Sequence, residues 1–219
     1  MQNVLNIDDG RRAPHHDGYD FSQDWFSHHI PSLERILAHY QPTRLIEIGC
    51  YEGRSTSYLI ERCAGYGPLQ IHCLDTWQGG ADLSTEKMAG VELRFDRNVA
   101  TAISRAGVEV EFRKIRQHSA IALAGLITER AAPFDLIYVD GSHTAPDVLT
   151  DAVLAFQLLR VGGVMIFDDY LWSMEPPLAA DPLNTPKFAI DTFTTAFARK
   201  VRVLAEFSNE QCYVEKIGD

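Results

Sequence analysis

The feature that most constrains this chain spans residues 44–55, where a short apolar run breaks into a glycine-bearing turn and then a helical pattern. Residues 44–48 suit a buried parallel strand, because strands covered on both faces carry near-continuous apolar side chains. Gly49 and Gly53 follow, and glycine lets a backbone turn sharply and approach a ligand closely. The segment therefore predicts a strand, a ligand-binding turn and a helix.

The spacing within this turn is Glu-x-Gly-x-x-x-Gly, beginning at Glu47. It differs from the Gly-x-Gly-x-x-Gly pattern of pyrophosphate-binding turns, which disfavours a nicotinamide dehydrogenase. A carboxylate at Glu47 serves a cationic or amine-bearing ligand better than it serves a diphosphate. S-adenosylmethionine is such a ligand.

Strand and helix patterns alternate beyond this turn, which predicts a parallel sheet with helices on both faces. The predicted strands are 44–48, 69–74, 108–115, 134–139 and 163–167, and the predicted helices are 54–64, 91–105, 119–130 and 145–160. A helix over 188–198 and a hairpin of strands 201–207 and 211–216 close the pattern. The fold class is therefore α/β, with a mostly parallel seven-stranded sheet and a C-terminal antiparallel hairpin.

Residues 1–40 are predicted to form an N-terminal arm and cap helices, ahead of a single domain over residues 41–219. The cap helices are expected at 22–29 and 32–40, and they are a candidate surface for pairing subunits into a homo-oligomer. The proline-rich segment 170–187 is expected to be a long loop and a candidate lid.

Composition narrows the partners of the protein. The formal net charge is −10 and no stretch clusters Lys and Arg, which argues against nucleic acid and anionic membranes. No apolar run reaches the ~18 residues that a membrane span needs, and no apolar signal core is visible. The four cysteines lack a Cys-x-x-Cys pair, which favours reduced thiols. We therefore expect a cytoplasmic protein whose partners are neither nucleic acid nor membrane.

Ligands of open α/β sheets bind beyond the carboxyl ends of the strands, and acidic residues dominate those positions here. Asp75 ends the second strand, where a carboxylate can accept both hydroxyls of a ribose. Trp77 is then placed to cover an adenine face. The alternatives are a helix-cap role for Asp75 and ordinary core packing for Trp77.

Three further carboxylates, Asp140, Asp168 and Asp169, are expected to converge from two neighbouring strand ends. Unneutralised carboxylates in one cleft repel one another unless a cation lies among them. A hard divalent ion with oxygen ligands is the expected occupant, and magnesium is the first candidate. The alternative is that Asp168 caps a turn and Asp169 faces solvent.

Four motifs, taken in order, resemble those of class I S-adenosylmethionine-dependent methyltransferases. They are the glycine turn, Leu-Asp-Thr-Trp at 74–77, Tyr-Val-Asp-Gly-Ser-His at 138–143 and the segment 159–170. More narrowly, residues 22–216 resemble magnesium-dependent O-methyltransferases of the macrocin and mycinamicin type, with more distant similarity to catechol and caffeoyl-CoA O-methyltransferases. The resemblance implies a Rossmann-like fold and methyl transfer from S-adenosylmethionine to a hydroxyl of a small-molecule acceptor, for example a sugar or a phenol.

The resemblance also implies roles for individual residues. It places Ser119 near adenine, the glycine turn on the methionine and ribose side, and Asp75 on the ribose. Together with the arguments above, it gives a cofactor site of Glu47, Gly49, Gly53, Asp75, Trp77, Ser119 and Asp140. It gives a Mg²⁺ site of Asp140, Asp168 and Asp169.

His143 is the predicted general base, acting beside Asp140. Catechol-type relatives carry a lysine three residues after the first metal aspartate, and this chain has His143 there. An imidazole titrates near neutrality and can take a proton from a hydroxyl whose acidity a metal has raised. The alternative is a loop histidine hydrogen-bonded to backbone.

The other histidines, including His28 and His29, are expected to be solvated or structural. Three aromatic residues are candidates for enclosing the acceptor, although packing is the alternative for each: Trp25, Tyr170 and Trp172. Two other functions stay open on the same fold. One is an oxidative enzyme, since relatives are associated with antibiotic hydroxylation, and the other is a non-catalytic S-adenosylmethionine-binding module, which would lack the metal carboxylates that this chain has.

Overall fold

A computed structural model of the chain describes residues 18–80, 83, 87–173, 175, 181–204 and 210–219. One sheet contains the strands β1 (Arg44–Ile48), β2 (Leu69–Asp75), β3 (Val110–Arg116), β4 (Phe134–Val139), β5 (Leu159–Phe167), β6 (Val201–Val203) and β7 (Cys212–Lys216). Their spatial order is β3-β2-β1-β4-β5-β7-β6. The first five strands are parallel, and β7 runs antiparallel to both β5 and β6. The predicted α/β sheet with a C-terminal antiparallel hairpin is confirmed.

Helices cover both faces of this sheet. They are α1 (Ile30–Tyr40), α2 (Arg54–Cys63), α3 (Val91–Arg105), α4 (Ser119–Thr128), α5 (Ala145–Leu158) and α6 (Pro186–Ala196). Side chains of α1, α2 and α3 share one apolar core, and those of α4, α5 and α6 share the other. Within β1, Leu45 joins the first core and Ile46 the second, because successive strand side chains point to opposite faces.

The strand order positions the functional site. The chain runs outward from β1 to β3 and then returns to place β4 on the other side of β1. Neighbouring connections therefore leave β1 and β4 in opposite directions and open a crevice at their carboxyl ends. Ligands of open α/β sheets bind at such a switch point.

The N-terminal cap differs from its prediction. The expected helix over 22–29 is replaced by a single 3-10 turn, Ser27–His29, which leads directly into α1. The reason is that side chains elsewhere in the fold bind this segment's backbone. The amide of Asp20 donates to Asn98, and the amide of Ser22 donates to Glu52 at 2.6 Å.

The C-terminal half differs in its boundaries. Strand β5 begins four residues before the predicted start at 163, because Leu159 already pairs with Phe134 of β4 ahead of a register irregularity. The predicted hairpin is present as Val201–Val203 and Cys212–Lys216, whereas its connection at 205–209 lies outside the described residues. The candidate lid 170–187 is described only in part, and α6 begins within it at Pro186.

All four cysteines are buried and have free thiols. Among the described residues, no helix combines the length and the apolar character needed to cross a bilayer.

Candidate functional site

A cleft of about 1130 Å³ opens at the carboxyl ends of the parallel strands. Seven of the ten residues predicted for the site line it: Gly49, Asp75, Ser119, Asp140, His143, Asp168 and Asp169. The N-terminal segment forms part of the same wall, since residues 23–26 and the histidines at 28 and 29 also face the cleft. The fold therefore brings these seven residues to one cleft and adds residues from the N-terminal cap.

Glu47 does not line the cleft. Its side chain is fully buried and accepts hydrogen bonds from the hydroxyls of Ser55 and Thr56 in the first turn of α2. Burial raises the pKa of Glu47 to about 7, although both hydroxyls favour the charged form. Glu47 thus anchors α2 to β1, which corrects its predicted role as a direct contact of the ligand.

Trp77 and Gly53 also lie behind the cleft wall. The Trp77 indole is 5% exposed, its ring centroid lies 4.8 Å from that of Phe95, and its N–H donates to the carbonyl of Tyr51 at 3.0 Å. Gly53 has a φ of 77°, and a Cβ there would lie 3.0 Å from the Phe95 ring. The structure therefore gives Trp77 a core-packing role instead of the predicted adenine contact, and Gly53 serves helix packing.

Gly49 is the tightest point of the site. Its φ is +79°, and a Cβ at this position would lie 1.8 Å from the backbone oxygen of Asp140. The amide of Asp140 in turn donates to the carbonyl of Ile48 at 2.8 Å. The ends of β1 and β4 touch through backbone alone, and this contact sets Asp140 beside the glycine turn.

Asp75 holds the glycine turn closed from the neighbouring strand. Its Oδ2 accepts hydrogen bonds from the amides of Cys50 at 2.8 Å and Tyr51 at 3.0 Å, and its Oδ1 accepts one from the amide of Trp77 at 2.7 Å. An ionised carboxylate has about four acceptor positions, so Asp75 keeps capacity for a ligand.

Ser119 is the first residue of α4 and lies across the cleft, where its hydroxyl bonds Asp151. Asp151 is 2% exposed, and burial raises the pKa of its carboxyl to about 6. Ser119 favours the charged form of this carboxyl and partly offsets the effect of burial on its pKa.

The three carboxylates predicted to bind metal, Asp140, Asp168 and Asp169, have two different surroundings. Ligand atoms of Asp140, His143 and Asp169 lie within 4.8 Å of one another. Burial and the neighbouring carboxylates of Asp168 and Asp169 raise the pKa of Asp140 well above its usual range. A cation would relieve this repulsion, so the donor set fits a divalent metal ion.

Asp168 is instead held by its protein neighbours. It accepts hydrogen bonds from the Tyr138 hydroxyl at 2.5 Å and the Gln211 amide at 3.1 Å, and its Oδ1 lies 3.1 Å from Nε2 of His29. Burial alone would raise the pKa of Asp168, but His29 and Tyr138 lower it below its usual range. Asp168 is therefore a buried anion, stabilised from several sides at the edge of the cluster.

His143 contacts a carboxylate and an aromatic ring. Its Nε2 lies 2.9 Å from Oδ2 of Asp169, and its ring centroid lies 4.3 Å from that of Trp172. Asp169 has a φ of +56°, which lies in the left-handed region that aspartate and asparagine adopt more often than most other residues apart from glycine. The imidazole is thus positioned between the acidic cluster and the cleft mouth.

Of the three aromatic residues predicted to enclose the acceptor, two line the cleft and one does not. Trp25 lines the cleft and lies 5.2 Å from the ring of Tyr51. Trp172 lines it as well, whereas the Tyr170 hydroxyl donates to Asp191 of α6 at 2.7 Å. The cleft mouth therefore carries two tryptophans, and Tyr170 belongs to the packing of α6.

Sequence reasoning missed the contribution of His29. This side chain is 5% exposed and binds a buried carboxylate, although it lies in a polar segment beside an exposed histidine. Nothing local in the sequence signals its burial. Tyr138 was detectable, because strand alternation places it on the same face as Asp140 two residues later.

Comparison with known proteins shows the family of this chain. A family model described as a methyltransferase domain matches residues 46–170 of the 219-residue chain. The match contains the glycine turn, Asp75 and the residues grouped at the ends of β4 and β5: Asp140, His143, Asp168 and Asp169. No curated protein matches the sequence significantly.

Solved structures with the same fold include two bacterial O-methyltransferases. TomG from Streptomyces achromogenes, in complex with S-adenosylmethionine, has a TM-score of 0.61 and 19% identity over 91% of this chain and 84% of its own. The Bacillus cereus enzyme, in complex with S-adenosylhomocysteine, has a TM-score of 0.58 and 21% identity over 90% and 84%. These likenesses confirm the Rossmann-like class I methyltransferase fold.

A third structure is MycE of the mycinamycin pathway, in complex with Mg, S-adenosylhomocysteine and mycinamycin VI. It has a TM-score of 0.57 and 20% identity over 90% of this chain. This chain spans only 51% of the length of MycE.

Proposed function

This chain belongs to the methyltransferase-domain family, and from that premise we propose that it is an S-adenosylmethionine-dependent O-methyltransferase of small molecules. The observation that carries the proposal is the grouping of Asp140, His143 and Asp169 in the cleft that Asp75 also lines. The cluster combines acidic ligands with an imidazole base, as methyl transfer to a weakly acidic hydroxyl requires. The structures of TomG and the Bacillus cereus enzyme with the methyl donor or its product support this choice of cofactor.

The cleft fits the proposed cofactor. S-adenosylmethionine, when bound, supplies an electrophilic methyl group on a sulfonium. Asp75 would accept a hydrogen bond from a ribose hydroxyl while it holds the turn, and Ser119 would lie beside the adenine. A cavity of about 1130 Å³ exceeds the roughly 300–1,000 Å³ of a typical ligand pocket, so a cofactor and an acceptor fit together.

We propose that Asp140 and Asp169 hold Mg²⁺, with Asp168 beside them. Carboxylate oxygens suit this ion better than an imidazole nitrogen does, so His143 is left for proton transfer. Bound Mg²⁺ supplies positive charge that raises the acidity of an acceptor hydroxyl. The complex of MycE with Mg supports the assignment.

His143 would accept the proton of the acceptor hydroxyl. Its contact with Asp169 at 2.9 Å orients the ring and stabilises the imidazolium that forms when the ring takes a proton. The ring of Trp172 packs beside it and restricts its rotation. Much of the rate acceleration would come from orientation, which contributes on the order of 7–11 kcal/mol in well-aligned reactions.

The mouth of the cleft favours an acceptor with a flat or ring-shaped face. Trp25 is 55% exposed at the cleft, and Trp172 lies beside His143. Sugars and phenols both pack on exposed indole rings while presenting a hydroxyl. We therefore retain a sugar or a phenolic natural product as the acceptor class.

The test is transfer of an isotope-labelled methyl group from S-adenosylmethionine to a panel of catechols, free sugars and glycosylated natural products. The proposal predicts a labelled methyl ether, together with stoichiometric S-adenosylhomocysteine. Label recovered only on nitrogen or sulfur acceptors would contradict O-methylation. Absence of S-adenosylhomocysteine binding would contradict the proposal as a whole.

A further inference from the structure

We propose that His28, His29 and Glu210, here called the rim cluster, form a second cation site that takes a transition-metal ion of the zinc class. One ring nitrogen of each histidine and one carboxylate oxygen of Glu210 lie within 4.8 Å of one another. All three residues line the mouth of the cleft. The rim cluster shares no residue with the group of Asp140, His143 and Asp169, to whose carboxylates magnesium is assigned above.

Two segments distant in sequence bring the rim cluster together. His28 and His29 lie in the 3-10 turn ahead of α1, and Glu210 lies just before β7. Nε2 of His28 lies 3.3 Å from Oε2 of Glu210. The backbone carbonyl of Glu210 accepts a hydrogen bond from the amide of Tyr170 at 2.8 Å, which ties this point of the chain to the end of β5. The fold therefore holds the carboxylate within reach of the histidines.

The two imidazole rings converge more closely than their backbone requires. Their centroids lie 3.7 Å apart at an interplanar angle of 45°. Successive residues of a 3-10 turn point in directions about 120° apart, so the turn alone does not bring His28 and His29 together. Two protonated rings at this separation repel each other, whereas two neutral rings offer nitrogen lone pairs that one cation can share.

The donor set selects the class of metal. Two imidazole nitrogens and one carboxylate oxygen suit Zn²⁺, Co²⁺ or Ni²⁺, while Mg²⁺ prefers oxygen ligands. Catalytic zinc sites hold the ion with three protein ligands and leave the fourth position to water, so a set of three protein ligands can bind zinc. The rim cluster therefore differs in chemistry from the oxygen ligands of Asp140 and Asp169.

A buried carboxylate supports one of the two histidines. Nε2 of His29 lies 3.1 Å from Oδ1 of Asp168, and both side chains are less than a tenth exposed. Metal-binding histidines commonly donate a hydrogen bond from their second ring N–H to a carboxylate, which fixes the ring's orientation and raises its basicity as a ligand. Asp168 is thus placed as the orienting partner of His29.

Binding at the rim cluster would join the N-terminal cap to the C-terminal hairpin. His28 and His29 belong to the N-terminal segment that lines the cleft, and Glu210, which also lines it, lies just before β7. A metal ion that binds the folded protein better than the unfolded chain stabilises it. Zinc should therefore raise the melting temperature.

The experiment is a calorimetric titration of the metal-free, full-length protein with Zn²⁺ in the presence of saturating Mg²⁺. It needs neither methyl donor nor acceptor, so its outcome is independent of the proposed methyl transfer. We expect one Zn²⁺ per chain, and Co²⁺ in its place should give the visible absorption of a nitrogen-ligated ion. His28→Ala and Glu210→Gln should each weaken Zn²⁺ binding at least about 10-fold.

The matched control is His39→Ala, which removes an exposed histidine on α1 away from the cleft and should leave the affinity unchanged. His28 and Glu210 are more than half exposed, so their variants should keep the fold. Equal Zn²⁺ binding by wild type and His28→Ala would mean an adventitious ion only and would overturn the proposal. Absence of Zn²⁺ binding, or its displacement in proportion to Mg²⁺, would overturn it equally.

Discussion

Nε2 of His143 lies 2.9 Å from Oδ2 of Asp169, so the loop after β4 and the end of β5 meet through an imidazole and a carboxylate. The preceding residue, Asp168, makes a corresponding contact with His29 at 3.1 Å. Two consecutive aspartates thus receive one histidine from each side of the cleft. This pairing separates a carboxylate that faces the cleft from one that joins the N-terminal cap to the sheet.

His143→Ala should lower turnover by roughly 10²–10⁴-fold, because general acid–base help contributes in that range. The affinity for S-adenosylhomocysteine should stay nearly unchanged, since the imidazole lies on the acceptor side. Turnover should partly recover as pH rises, because hydroxide can replace a missing base. The measurement is a pH series of initial rates, with His39→Ala as the control. Near-normal turnover of His143→Ala on the true acceptor would make His143 structural.

Chelation should suppress turnover, and added Mg²⁺ should restore it. Asp169→Asn should raise the Mg²⁺ concentration needed for half-maximal rate by at least about 10-fold, because it removes a charged ligand. Asp168→Asn should instead loosen the N-terminal cap, which would show as a lower melting temperature, because His29 of the cap would face an uncharged partner. Full activity in excess chelator would mean that these carboxylates serve another purpose.

Gly49→Ala should destabilise the fold by at least about 3 kcal/mol, because it forces a positive φ on alanine and a severe overlap. The added Cβ would meet the backbone oxygen of Asp140 at 1.8 Å, and that backbone is held by the hydrogen bond to Ile48. Gly65→Ala is the matched control, since its Cβ would meet only a side-chain nitrogen at 4.0 Å.

Urea unfolding of both glycine variants measures the effect. The Gly65→Ala change should stay within about 0.5 kcal/mol. Similar free energies of unfolding for Gly49→Ala and Gly65→Ala would contradict the backbone contact between β1 and β4.

These contacts show why the sequence predicted part of the site. Apolar strands, glycines and strand-end carboxylates carry local signals, so the sheet, the turn and the positions of Asp75, Asp140 and Asp169 could all be predicted. A pattern cannot show which face of a turn a side chain takes. Glu47 and Trp77 sit at the expected places in the chain, but their side chains turn into the core.

The N-terminal cap was harder to predict, because its conformation depends on distant partners. The amides of Asp20 and Ser22 bond Asn98 and Glu52, which are 78 and 30 residues away. Those long-range bonds replace the helical bonds that the local pattern favours. They also hold the segment that contains His29 against the site, and no short-range pattern in the sequence indicates this position.

Glu47→Gln should change the pH dependence of stability. Burial raises the pKa of Glu47 to about 7 in the folded protein, whereas a glutamate in the unfolded chain titrates near pH ~4.3. Between these values the folded state binds more protons, so wild-type stability falls as pH rises through this window. The loss attributable to Glu47 should approach about 3 kcal/mol.

Glutamine has no such titration and can still bond the hydroxyls of Ser55 and Thr56. The difference in unfolding free energy between wild type and Glu47→Gln, measured by urea titration from pH 4 to pH 8, isolates this effect. Parallel stability curves for the two proteins would show that Glu47 ionises normally in the folded state.

Calorimetry with S-adenosylhomocysteine can establish whether the cleft binds S-adenosylmethionine through Asp75. Wild type should bind the product, and Asp75→Asn should weaken binding by about 1–3 kcal/mol, the usual effect of losing hydrogen bonds to a charged group. Because Asp75 also accepts three backbone amides, the variant's melting curve must show a folded protein at the titration temperature. Asp219→Asn, at the exposed C-terminus, should bind like wild type. Unchanged affinity in Asp75→Asn would show that Asp75 does not bind the ribose. Binding of NAD without binding of S-adenosylhomocysteine would contradict S-adenosylmethionine as the cofactor.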